Sequence, residues 1–287
     1  MSYAFYLGCT IPSRLLSYEI SARKVCEVLD IDLVDLQDFI CCGTPIENVS
    51  EKVSIAMAAY NLSLAEEENL DILALCNGCV NSLKRANYNL KRSEKLKEEI
   101  NKVLSKVGKE YRGKIRVKHF IQVLYEDFGI EELKRKIKNK LNLKVATHTG
   151  CHLVKPSYVM KFDDPENPKV LDELVRATGA DSIDYMYKNT CCAQPLRGLN
   201  DELSLKILRE KLACREETEA ECIITVCPAC NIQLELGQLE LKTKLKEEFS
   251  LPVLHYPELL GLALGIEKEE LGLKYHKIKP NKLFGDL

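Results

Sequence analysis

Ile72-Leu73-Ala74-Leu75-Cys76-Asn77-Gly78-Cys79 and Ile223-Ile224-Thr225-Val226-Cys227-Pro228-Ala229-Cys230 are the two stretches that decide the fold. Each is a short aliphatic run ending directly in Cys-x-x-Cys. A run of this length and branching reads as a buried strand. Ile31 to Leu36 and Leu143 to Ala146 have the same character, and the second stretch extends back to Cys222. Helical spacing fills the segments between them, at Leu15 to Leu29, Val53 to Glu68, Val170 to Ala177 and Leu203 to Glu216. Strand alternating with helix predicts an α/β protein, with parallel sheets joined by crossover helices. In such sheets binding sites gather at the carboxyl ends of strands. Cys76 and Cys227 fall there, each ahead of a helix whose N-terminal amides and dipole favour a thiolate.

Working outward, the cysteines reveal a duplication. Cys9 is followed after 31 residues by Cys41-Cys42 and after 33 more by Cys76-x-x-Cys79, while Cys151 is followed after 39 by Cys191-Cys192 and after 34 more by Cys227-x-x-Cys230. Local contexts agree: Tyr6-Leu7-Gly8-Cys9 answers His148-Thr149-Gly150-Cys151, and Cys41-Cys42-Gly43-Thr44-Pro45 answers Cys191-Cys192-Ala193-Gln194-Pro195. Ten of the 13 cysteines belong to the repeat. The expected organisation is therefore two pseudo-symmetric halves, residues 1–140 with a helical extension and 141–287 with a C-terminal tail. Lys84 to Lys140, rich in Lys and Glu, reads as a long solvated helix and a connector, and the polar tail after Glu267 as an arm outside the core.

Composition bounds the function. Apolar residues make up 46% and charged residues 29% of 287, an ordinary folded protein, and a net charge of -2 argues against nucleic acid as the main partner. No apolar run approaches the roughly 20 residues of a membrane span; Leu259 to Ile266 is far too short. The first residues lack the charged and apolar regions of an export signal, so a cytoplasmic protein is expected. In a reducing compartment 13 cysteines point to metal or redox chemistry rather than to disulfides. Cys26, Cys214 and Cys222 lie outside the repeat and read as core thiols.

Four thiolates complete a zinc site or a cubane iron–sulfur cluster, so the fifth cysteine of each unit requires an explanation. Adjacent cysteines do not easily reach separate corners of one cubane, but they suit an opened cluster whose irons lie further apart. Zinc in one half is the alternative. The ferredoxin pattern C-x2-C-x2-C-x3-C-P is absent, which implies a separate electron donor, and neither a dinucleotide fingerprint nor a P-loop is present.

The pattern C-x(31–39)-C-C-x(33–36)-C-x-x-C, running from Cys9 to Cys230, resembles the proteins with two cysteine-rich CCG domains, and a chain of this length resembles the B subunit of methanogenic heterodisulfide reductase. The resemblance implies two noncubane 4Fe-4S clusters, one held by Cys9, Cys41, Cys42, Cys76 and Cys79, the other by Cys151, Cys191, Cys192, Cys227 and Cys230. It implies reduction of the mixed disulfide of coenzyme M and coenzyme B to two thiols. It also implies partners: a ferredoxin-like C subunit and a flavin-bearing A subunit, with an associated hydrogenase or formate dehydrogenase. Ala193 stands where the motif has glycine, so that turn either does without positive φ or differs in geometry.

Cleaving a disulfide takes two electrons and clusters deliver them singly. Two sites facing one another, with the substrate disulfide between Cys9 and Cys151, would meet that need. His148 and His152 flank Cys151 and are candidate proton donors. Arg14, Lys84, Arg85, Lys155 and Arg197 lie near the motifs in sequence and form a candidate set for the substrate's anionic groups. His119, His255 and His276 show no ligand spacing. Rival readings are an electron-transfer subunit linked to quinone, to succinate or fumarate, or to lactate or glycolate oxidation, and a zinc-stabilised scaffold.

Overall fold

A computed structural model describes residues 1–216 and 218–285. Its eight strands form two four-stranded parallel sheets. The first contains β1 (Ser2–Tyr6), β2 (Asp32–Val34), β3 (Ile72–Ala74) and β4 (Val117–His119) in the order β2-β1-β3-β4. The second repeats it with β5 (Lys144–His148), β6 (Asp181–Ile183), β7 (Cys222–Thr225) and β8 (Val253–His255) in the order β6-β5-β7-β8. Register repeats too: Ala4 lies opposite Ile72, and Ala146 opposite Ile223. The protein is thus α/β with two pseudo-symmetric halves.

In this strand order the chain leaves β1 in one direction and β3 in the other, which opens a crevice at their carboxyl ends. Cys9 follows β1 and Cys76 follows β3; Cys151 follows β5 and Cys227 follows β7. Both crevices are therefore lined by cysteine before any side-chain geometry is considered.

The apolar strands and helices expected from the sequence form within one or two residues of their expected ends, as Glu51–Glu67 and Asp201–Glu216 illustrate. The segment 84–140 differs from expectation. Helix Asn77–Arg92 runs on through its start, helix Glu94–Leu104 follows, and Val117–His119 adds the fourth strand. Three residues interrupted by Lys118 give no periodic signal; what makes them a strand is pairing with β3, and Lys118 stays charged beside Glu126 and Asp127. The tail differs as well. Leu271 and Leu273 are fully buried, and His276 is 3% exposed between two carboxylates.

The halves share a core cluster, and a second, smaller cluster lies within the second half. Helix Leu16–Val28 packs its buried Tyr18, Ala22 and Val25 against helix Tyr256–Ala263 of the second half. Helix Asn77–Arg92 meets the Cys151 loop, where Asn77 Nδ2 donates to Thr149 O (2.7 Å) and Asn81 Nδ2 to Lys155 O (2.7 Å) and His152 O (3.0 Å). The first half thus grips the loop that carries the second half's first cysteine.

Candidate metal centres

Each Cys-x-x-Cys begins a helix, Asn77–Arg92 or Pro228–Leu245, with Cys76 and Cys227 as extended N-cap residues. The free amides of such a first turn point at the sulfurs. Pro228 suits its place because the amide it lacks has no helical partner there. Tight turns bring in the other cysteines. Gly8 (φ 68°) leaves no room for a methyl group, since a Cβ there would lie 2.9 Å from Cys79 Sγ. Gly150 (φ 78°) is equally confined: its Cβ would meet Asn77 Nδ2 at 2.7 Å and Cys230 Sγ at 3.3 Å.

The adjacent pairs sit on left-handed turns. Gly43 has φ 89° and ψ -8°, and Ala193 has φ 66° and ψ 11°. The second turn therefore needs positive φ, and Ala193 adopts it at a strain on the order of 1 kcal/mol. Its N–H donates to Cys191 Sγ at 3.3 Å, and Ser204 Oγ donates to its carbonyl at 2.9 Å. Around Gly43 alanine has no such room, because a Cβ would stand 2.8 Å from the Ser54 carbonyl oxygen and 2.9 Å from Ser54 Cα.

Nine of the ten repeat cysteines line one cavity of about 620 Å³ between the halves, and the tenth, Cys41, is hydrogen-bonded to Cys42. Nine of the ten sulfurs form a continuous thread, while Cys9 Sγ stands beside Thr10 Oγ1 at 3.7 Å. Cys42 contacts Cys41 and Cys79, Cys76 contacts Cys79 and Cys227, and Cys230 contacts Cys227 and Cys192, with Cys191 joining Cys192 to Cys151. The two sets meet where Cys76 approaches Cys227. Soft thiol donors of this number fit iron–sulfur clusters and exclude magnesium or calcium as the resident ion. Five sulfurs per half exceed what tetrahedral zinc takes.

A polar brace ties the sets together. Tyr18 Oη lies 2.8 Å from Leu75 O and 3.0 Å from Val226 O, and His119 Nε2 lies 3.0 Å from the same two carbonyls. These are the carbonyls just ahead of Cys76 and Cys227. Burial pushes the His119 imidazole down to about 4, so it is neutral. Its Nδ1 accepts from Ile121 N–H (3.2 Å), which leaves the Nε2 proton for the carbonyls. His255, the registered equivalent of His119, stacks on Tyr18 with ring centroids 3.8 Å apart. Neither residue type nor spacing announces this brace; the repeat could have disclosed it, because His119-Phe120 and His255-Tyr256 occupy equivalent places.

The remaining candidates separate. His152 is exposed, lines the cavity and has Nδ1 3.6 Å from Cys151 Sγ. His148 is buried outside the cavity wall, and desolvation, then Lys211, push it down to about 3. Its Nδ1 faces Lys188 O at 3.2 Å, so its one proton is held there and Nε2 lies buried without a partner. Of the cations, Arg85 lines the cavity and pairs with Glu47. Arg14 is exposed away from the wall, Lys155 pairs with Glu166 at 3.1 Å, and Arg197 forks onto Glu240 at 3.0 and 3.1 Å. Lys84 turns to Gln122 and Met160 O, and burial lowers it to about 8. Cys26 and Cys222 are core thiols, Cys26 pushed up to about 12 by burial, and Cys214 lies half-buried outside the cavity.

Residues 3–84 and 145–235 match the cysteine-rich domain family known as CCG. The chain is 40% identical to the B subunit of the ferredoxin/F420H2-dependent CoB-CoM heterodisulfide reductase of Methanosarcina acetivorans, over 96% of this chain and 93% of that one. It is 33% identical to the 8-methylmenaquinol:fumarate reductase membrane anchor subunit of Wolinella succinogenes, over 98% of each. A crystal structure of a hypothetical protein from Helicobacter pylori superposes with a TM-score of 0.77 at 17% identity, covering 97% of this chain but only 52% of that chain, a likeness of fold alone. No helix among the described residues is long and apolar enough to cross a membrane. With both cysteine-rich domains matched and identity sustained along nearly the whole chain, this protein belongs to the two-CCG-domain family that includes the B subunit of heterodisulfide reductase.

Proposed function

We propose that the chain is the disulfide-reducing subunit of a cytoplasmic heterodisulfide reductase and acts on the mixed disulfide of coenzyme M and coenzyme B. The observation that carries the reading is the convergence of nine of the ten repeat cysteines, four from the first set and five from the second, on one cavity between the halves. Cys9, Cys41, Cys42, Cys76 and Cys79 would hold one noncubane 4Fe-4S cluster, and Cys151, Cys191, Cys192, Cys227 and Cys230 the other. Such clusters, when bound, supply single electrons, two of which open a disulfide. The chain's own part is to receive the disulfide between the Cys9 and Cys151 loops. Arg85 is the cation at hand for an anionic substrate group, and His152, open to the cavity beside Cys151, the group that hands a proton to a departing thiolate. Electrons would come from a ferredoxin-like partner and, behind it, a flavin-bearing one with its hydrogenase or formate dehydrogenase.

The test is to load the full chain anaerobically, measure iron and sulfide, and replace Cys191 and Cys192 together by Ser. Loss of one cluster together with heterodisulfide reduction is expected. Loss of one cluster with reduction at full rate would sink the two-site reading. The kinship with the Wolinella protein favours a second reading, electron transfer toward a quinone-linked partner. A loaded chain that ignores the heterodisulfide but passes electrons to a quinone-linked enzyme would favour it.

A further inference from the structure

Because the halves repeat, residues equally far from equivalent cysteines occupy equivalent places. Nineteen positions beyond Cys42 and Cys192 stand Asn61 and Lys211, and three positions ahead of Cys9 and Cys151 stand Tyr6 and His148. In the first half this set is neutral and closed. Tyr6 Oη donates to Ile40 O at 2.5 Å, and Asn61 accepts Ile40 N–H at 2.8 Å while donating to Cys41 O at 3.3 Å.

The second half differs in charge. Lys211, 1% exposed, donates from Nζ to the carbonyls of Tyr187 and Lys188, the latter at 3.3 Å, and lies 5.7 Å from the Tyr185 ring centroid. Among the described residues it has no carboxylate partner; the buried Asp172 nearby in the fold is taken by Lys188 at 2.7 Å. The thiol groups whose field reaches it are those of Cys192, Cys230, Cys191 and Cys214. Burial lowers the amine to about 8, and its hydrogen-bond partners, two backbone carbonyls, are acceptors that suit an ammonium group. His148 Nδ1 shares the Lys188 carbonyl, and its ring nitrogen lies within 4.8 Å of the Cys192 and Cys230 sulfurs.

We propose that Lys211 is a redox-tuning residue whose buried ammonium, standing where the first half has Asn61, gives the second cysteine set the higher reduction potential of the two. A fixed positive charge in a dry interior lowers the energy of an added electron, and net charge and hydrogen bonding around the sulfurs set such potentials. When the molecule holds one electron, delivered by an external one-electron iron–sulfur donor, that electron rests on the second centre. The step is a transfer from first to second, one oxidised and one reduced by a single electron, with no bond or proton moved. The inference rests on the reading of two iron–sulfur centres given above.

Anaerobic redox titration of the cluster-loaded full chain, followed by EPR with iron and sulfide analysis, tests it. Two one-electron steps are expected. Replacing Cys191 and Cys192 by Ser removes the higher step. Lys211→Met lowers it by about tenfold or more in the reduction equilibrium, about 59 mV for one electron, while Lys211→Arg leaves it in place and neither variant moves the step of the first set. Disappearance of the lower step in the Cys191/Cys192 variant overturns the proposal, as does an unmoved higher step in Lys211→Met with iron intact. Should Lys211→Met lose iron, Lys211→Gln takes its place, with the same fall of the higher step expected and an unmoved step overturning the proposal. A chain that takes up no iron and sulfide overturns the underlying reading and the proposal with it, whereas intact clusters with the wrong order of potentials overturn the proposal only.

Discussion

His276→Gln should remove a buried cation on which the packing of the C-terminal segment depends. His276 Nδ1 lies 3.2 Å from Glu235 Oε1, and Nε2 lies 3.0 Å from Glu258 Oε1. Both partners accept only, so both ring nitrogens must carry protons and the imidazole is cationic. Glu258 also accepts His255 N–H (2.7 Å), and Glu235 accepts Lys277 N–H (2.8 Å), which fixes the carboxylates in place. Although burial opposes the charge, Glu258 and Glu235 hold the imidazole up to about 10 from an ordinary 6.5. At 1.36 kcal/mol for each tenfold step in proton affinity, that preference is worth on the order of 5 kcal/mol. Breaking a buried ion pair by removing one partner costs a similar ~3–5 kcal/mol. Glutamine offers its hydrogens from one nitrogen and no charge, so a loss of about 3–5 kcal/mol is expected, a fall of roughly 10 °C in Tm for a chain of this size. The raised pKa sets the sign. The contribution is complete below about pH 6.5 and disappears as pH rises through about 10, so the gap between wild type and variant should be widest near pH 6 and closed above pH 10. Thermal unfolding of both proteins at pH 6, at pH 8 and above pH 10 measures it. A gap under about 1 kcal/mol at pH 6, or one as large above pH 10, would refute the argument.

Two further outcomes follow from the site's geometry. Gly43→Ala should displace the Cys41–Cys42 turn by pressing a methyl group against the Ser54 backbone, and iron per chain should fall by about one cluster, while Ala193→Gly leaves it unchanged; equal iron in both variants would show that the turn yields. Tyr18→Phe leaves Leu75 O and Val226 O to His119 alone and should lower stability by about 1–2 kcal/mol in thermal unfolding, with no effect expected on iron content; an unmoved Tm would mean that the hydroxyl carries no part of the brace.

Sequence alone determined the α/β class, the duplication and the ten cysteines, because each is written locally: aliphatic runs of strand length, and a cysteine spacing that recurs in order. It also located each Cys-x-x-Cys at a strand end before a helix. It did not reveal β1, β4, β6 or β8: Val117–His119, Asp181–Ile183 and Val253–His255 are too short for periodicity and become strands only by pairing with a neighbour, and Ser2–Tyr6 is not read from the sequence as a strand at all. The polarity of the tail misled for a related reason: Glu235, His276 and Glu258 are each polar alone, and only the fold brings them within hydrogen-bonding distance so that they can be buried together. Nearness in sequence to the motifs suggested Arg14, Lys84, Arg85, Lys155 and Arg197, but the tertiary structure turns Lys155 and Arg197 to carboxylates and, of the five, leaves Arg85, paired with Glu47, at the cavity. The contact between Cys76 and Cys227, the brace of Tyr18 and His119, and the charge of Lys211 behind the second set all arise between residues far apart in the chain. Spacing along a sequence reports which cysteines recur, whereas the environment that sets their chemistry is made by the packing of one half against the other.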